Sequence, residues 1–111
     1  MKSTASFDPK VIEILKKVLK DNDVPDYYYQ IEDTFCEYGN ENTLCLCPNE
    51  DYTCFELSIT ERGHKTVEAT SINIEHICLM LLYSISSHVN DSKKIITQFL
   101  DALVINQLRR P

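Results

Sequence analysis

Val11, Ile12, Leu15, Val18 and Leu19 recur at the three-and-four spacing of one helix face. The chain therefore opens with an amphipathic helix. Asp8 can cap its N-terminus, Pro9 suits the first helical position, and Phe7 can staple onto Ile12. Lys10, Lys16, Lys17 and Lys20 take the polar side, the last three toward the negative helix end. Asp21, Asn22 and Asp23, ahead of Pro25, mark the exit.

The period then shortens to two. Residues 27–31 read as a short strand. Residues 32–42 read as an acidic loop, with Gly39-Asn40 as a turn signal and room for a short strand around Phe35. Residues 43–47 form a clear strand, 48–51 a four-residue turn, and 52–60 the returning strand. Pairing Cys47 with Tyr52 puts Leu44, Leu46, Phe55, Leu57 and Ile59 on one face. Cys45, Cys47, Tyr52, Cys54, Glu56 and Ser58 fall on the other, a mixed and half-exposed set. Residues 62–64 read as a three-residue hairpin loop in which Gly63 supplies the positive φ. That length places Val67 opposite Ile59 and Ala69 opposite Leu57 on a further strand, 65–69.

Helical spacing returns after Asn73, which can cap a second helix running to about His88. Its stripe is Ile74, Ile77, Cys78, Leu81, Leu82 and Ile85. Leu79, Met80 and Tyr83 make it apolar on more than one side, as a central helix requires. A third helix begins at Asn90 or Asp91, with Ile95, Ile96, Phe99, Leu100, Leu103, Val104 and Leu108 toward the core. The order α-β-β-β-β-α-α predicts a single α+β domain over 1–111: an antiparallel sheet of about four strands with helices packed on one face.

Charge sharpens this picture. Asp21, Asp23, Asp26, Glu32, Asp33, Glu37, Glu41, Glu50, Asp51, Glu56 and Glu61 lie in one stretch that holds no lysine or arginine. The formal net charge is -6, so this segment is more negative than the whole chain. Such a one-signed surface steers cations or basic partners. It argues against direct nucleic-acid binding, which needs clustered basic side chains. The longest apolar run, 77–83, is too short to cross a bilayer, and the first residues lack the apolar centre of an export signal. A cytoplasmic protein with no membrane association is expected.

The five cysteines are expected as reduced thiols. Cys45, Cys47 and Cys54 do not have zinc-knuckle spacing, and no histidine shares their hairpin. Small apolar strand residues account for them, and neither a metal nor another cofactor is expected. His64, His76 and His88 stand apart. There is no nucleophile-base signature, phosphate loop or calcium-loop register. No catalytic residue is assigned, and a non-enzymatic protein is expected.

Tyr27, Tyr28, Tyr29, Tyr38 and Tyr52 interleave with the acids. Strand packing explains tyrosines there. Aromatic anchors ringed by charge also make a protein-binding hot spot. The partner-binding candidates are Asp33, Glu37, Glu41, Glu50 and Asp51, with Tyr28 and Tyr38 as anchors.

The run Glu61-Arg62-Gly63-His64-Lys65 ends a strand. It is followed by another strand and by a helix containing Glu75-His76-Ile77-Cys78-Leu79. This pattern, over about 43–85, resembles small immunity proteins of bacterial polymorphic and contact-dependent growth inhibition toxin systems. The tryptophan that often precedes the turn strand is Tyr52 or Phe55 here. The resemblance implies a cytoplasmic immunity protein, a toxin inhibitor that binds the C-terminal domain of one cognate toxin. That toxin would be a basic nuclease, an RNase ahead of a DNase, its active site covered by the acidic surface. A monomer forming a 1:1 complex is expected. The alternative is a small acidic secretion chaperone for an effector protein, which would form a stable dimer without its partner.

Overall fold

Asp8 and Pro9 start the first helix as their side chains dictate. The Asp8 carboxylate accepts the Lys10 N–H at 2.9 Å, and Pro9 occupies the first turn of α1, Pro9–Asp21. The computed structural model describes residues 7–86 and 92–106. After α1 come a 3₁₀ turn at Asp26–Tyr28, β1 (Tyr29–Ile31), β2 (Leu44–Pro48), β3 (Phe55–Glu61), β4 (His64–Ser71), α2 (Ile74–Ile85) and α3 (Ser92–Ile105). The element order and the α+β class match the sequence pattern.

Val11, Ile12, Leu15, Val18 and Leu19 are all buried, as the stripe predicts. The end of α1 is a Schellman closure. Val24 N–H reaches Leu19 O and Asp23 N–H reaches Lys20 O, both at 3.0 Å, with Asp23 at φ 57°. An aspartate holds the left-handed position that glycine usually fills. The turn drives Val24 into the core. Asn73 caps α2 by accepting the His76 N–H at 3.1 Å. The expected run of α2 to His88, the expected start of α3 at Asn90 or Asp91, and Leu108 lie outside the described residues.

The sheet order is β1-β2-β3-β4. β2, β3 and β4 are antiparallel neighbours, but β1 lies parallel to β2, so the sheet is mixed. The 32–43 connection makes this possible, because a parallel neighbour needs a long crossover rather than a tight turn. No strand forms around Phe35. The segment meets the sheet at its start, where Glu32 N–H donates to Leu46 O at 3.0 Å, and near its end at an isolated bridge between Glu41 and Thr60.

Two registers differ from expectation. Cys47 pairs with Glu56, not Tyr52, and Cys45 faces Ser58. The turn is longer because Asn49 organises it: its side-chain oxygen accepts the Thr53 and Cys54 N–H groups at 2.8 and 3.1 Å. The shift is an even number of residues, so Leu44, Leu46, Phe55, Leu57 and Ile59 still share a face.

The β3-β4 hairpin closes with two residues, not three. Glu61 pairs with His64 across Arg62 (φ 52°) and Gly63 (φ 76°), and both central residues have the positive φ of a type I′ turn. Val67 therefore pairs with Ser58, on the face away from the helices. A bulge at Glu68 restores the register, so that Ala69 meets Leu57 as expected.

The core is one cluster uniting α1, α2 and α3 with Leu46, Phe55 and Leu57. α2 packs on β2, β3 and β4 and also meets α1 and α3, which makes it the central helix. Phe7 joins from the chain start, its ring 6.3 Å from that of Phe55. No described helix is long and apolar enough to cross a membrane.

Candidate functional site

Strand alternation turns Cys45, Cys47, Glu56, Ser58 and Thr60 away from the helices, yet all five are buried. The cover is the 32–42 segment, which folds back over the outer face of the sheet. It is pinned along its length. Gly39 N–H donates to Thr60 Oγ1 at 3.2 Å, Asn40 N–H to Gln30 Oε1 at 2.7 Å, and Asn42 N–H to Thr60 O at 2.8 Å. Gly39 must be small, because a Cβ there would sit 2.9 Å from Cys45 Cβ. Near the far end, the Glu41 carboxylate accepts the Arg62 N–H, tying the cover to the β3-β4 turn.

Lys65 organises the middle of this face. Its ammonium pairs with the Glu56 carboxylate, donates to Cys36 O at 2.8 Å, and lies 4.7 Å from the centre of the Phe35 ring. Both charged side chains are largely withdrawn from water, at 14% and 9% exposure. A buried charge needs such a partner.

Beside the cover sits the 49–54 turn. Phe35 N–H donates to the Tyr52 hydroxyl at 3.2 Å, joining the two acidic loops. Between them opens a cleft of about 490 Å³ lined by Phe35, Asn49, Glu50, Asp51, Glu56, Lys65 and Val67. The Glu56–Lys65 pair and the two apolar side chains lie within it, alongside Glu50 and Asp51. No protein-family model, curated protein or solved structure matches this chain.

The sequence-selected residues distribute unevenly around this cleft. Glu50 and Asp51 line it and are exposed. Asp51 also braces its own turn by accepting the Thr53 hydroxyl at 2.6 Å. Asp33, Glu37 and Tyr38 are exposed on the cover, Tyr38 at 59%. Among the described residues, Asp33, Glu37 and Glu50 have no ion-pair partner. Glu41 is exposed, but its carboxylate is engaged by the hairpin turn. Tyr28 is elsewhere. It packs half-buried against the core with its ring 4.8 Å from Tyr27, beside a separate hollow shared with Leu44, Ile59 and Ile85.

Phe35, Asn49, Glu56, Lys65 and Val67 line the cleft, and Tyr52 ties Phe35 to the 49–54 turn, but none of them was among the sequence candidates. Lys65 carried one available signal: it is the first lysine after a long acidic stretch. The three cysteines Cys36, Cys45 and Cys47 also come together, with their sulfur atoms all within 4.8 Å of one another. Strand alternation predicted the shared face of Cys45 and Cys47. The third member is Cys36, brought by the cover, whereas Cys54 stays in the 49–54 turn. Within the pair, Cys45 acting as donor lowers the Cys47 thiol, with burial opposing. The same interaction, with burial, holds Cys45 far above the ordinary thiol range. Burial raises Cys36.

Proposed function

We propose that this chain is a non-enzymatic inhibitor of the immunity-protein kind, acting in the cytoplasm. It binds a basic protein partner, a nuclease toxin domain, one to one through the acidic rim of the cleft. The observation that carries this reading is the juxtaposition of the two acidic loops through Phe35 and Tyr52. Asp33 and Glu37, exposed two residues either side of Phe35, share the cover with the residue that meets the Glu50-Asp51 turn, and Tyr38 and Tyr52 are exposed aromatics. Carboxylates at this rim can stand in for phosphates and engage the lysines, arginines or histidines of a nuclease site. Aromatic anchors supply contact area, and the surrounding charge sets partner choice and encounter rate.

The test is binding to the basic C-terminal domain of any large secreted protein encoded immediately upstream. Replacing Glu37, Glu50 and Asp51 together by lysine should slow association at least about tenfold at low salt, and the difference should shrink as salt rises. Unchanged affinity and unchanged association rate in the triple variant would overturn the assignment of this surface.

A further inference from the structure

We propose that Cys36, Cys45 and Cys47 form a three-thiolate site for a soft d¹⁰ metal ion, zinc(II) by preference. The inference is independent of the partner-binding reading. All three sulfur atoms lie within 4.8 Å of one another. A zinc–sulfur distance of about 2.3 Å in tetrahedral geometry puts ligand sulfurs about 3.8 Å apart, so they need draw in by no more than about 1 Å. The three come from two packed segments: alternate positions of β2, and the cover.

The surroundings fit that role in three ways. Cys45 and Cys47 are 1% and 0% exposed, so two of the three metal–sulfur bonds would lie out of water. Lys65 donates to the Cys36 carbonyl at 2.8 Å, which holds Cys36 over the strand. Ser58 is the register partner of Cys45 on the same face. Its hydroxyl is buried and has no hydrogen-bond partner among the described residues. A buried hydroxyl normally has one, and a cysteine thiolate is an acceptor that a cross-strand neighbour can reach. A thiolate at Cys45 is a stronger acceptor for this hydroxyl than the thiol is.

The all-sulfur donor set selects soft ions over magnesium or calcium. Zinc(II) is preferred over copper(I) because three thiolates leave −1 with the former and −2 with the latter, and the smaller charge is easier to bury. Three protein ligands leave the fourth position of a tetrahedral ion to an external donor such as water. Binding converts each thiol to a thiolate and releases its proton to solvent.

The experiment uses the full chain, reduced and stripped with a chelator, then titrated with zinc(II). Stoichiometry is read by native mass spectrometry. Cadmium(II) substitution is read by its thiolate charge-transfer absorption. The expected result is one metal ion per chain with the absorption of three thiolates. Cys36→Ser, whose side chain is only half-buried, should keep the wild-type circular dichroism and lose at least about tenfold in affinity. Cys54→Ser and Cys78→Ala should bind as the wild type does. Failure of the wild type to bind zinc(II), or undiminished binding by a folded Cys36→Ser variant, would overturn the site. Tight binding of copper(I) alone would overturn the choice of zinc.

Discussion

Lys65 crosses the outer face of the sheet to meet Glu56, and the two charges neutralise each other beneath the acidic cover. Removing one partner leaves the other charge in a site with little water. Lys65→Met should lower the unfolding free energy by roughly 2–3 kcal/mol, less than for a fully enclosed pair because the cleft is open. Lys65→Met combined with Glu56→Gln should recover much of that loss. Urea denaturation of the two single variants and the double variant gives the cycle. Equal stability of the Lys65→Met variant and the wild type would show that the pair is solvated.

Gly39 lets the cover approach the strand. Its missing side chain leaves room for Cys45 Cβ at 2.9 Å and Gln30 Oε1 at 3.2 Å from the position a Cβ would take. The strand is fixed by its ladder, so the cover must lift. Gly39→Ala should cost about 1–3 kcal/mol, as overpacking does. It should also speed labelling of Cys45 by a thiol reagent under native conditions. Thermal melting and labelling kinetics, followed by peptide mass mapping, check both halves.

Asp23 occupies the left-handed position after α1 with φ 57°. It also sets a negative charge at the negative end of that helix. Glycine removes both penalties at some entropic cost. Asp23→Gly should therefore stabilise the fold by about 0.5 kcal/mol, a rise of about 2–4 °C in melting temperature. A fall in melting temperature would count against the Schellman closure.

Cys78 lies within the central helix and is fully buried. Burial pushes its thiol up to about 12 from an ordinary value of 9.0, with the Glu75 charge adding in the same direction. The unfolded chain thus loses this proton first as pH rises. Below pH 9 the group adds no pH dependence. Between 9 and 12 the folded state holds the extra proton, and stability falls as pH rises. The slope from this group should approach about 1.4 kcal/mol per pH unit. Denaturation of the wild type and Cys78→Ala at pH 8 through 11 should show a shallower decline for the variant above pH 9. Parallel curves would exclude Cys78 as the source.

The helices were legible because their information is local. Asp8, Pro9 and Asn73 act on backbone groups within a few positions of themselves, and the α1 and α2 stripes record burial directly. The inner face of the sheet was legible for a related reason: alternation has a period of two, and even the mispaired Cys47–Tyr52 register kept the right residues inward. The β3-β4 turn was not. One residue of loop length decides whether Val67 faces the helices or the cleft. Glu41, well upstream in sequence, helps hold Arg62 in the two-residue turn.

By itself, the sequence determined the order of elements, the inward faces and the concentration of carboxylates in one stretch. Only the tertiary structure decided that β1 runs parallel to β2 and that residues 32–42 cover the sheet. It also decided that this cover meets the 49–54 turn at Tyr52 and brings Cys36 to Cys45 and Cys47. Those relationships depend on packing and hydrogen bonds between residues far apart in the chain, such as Gly39 against Cys45 and Lys65 against Glu56. Their register leaves no periodic trace in the sequence.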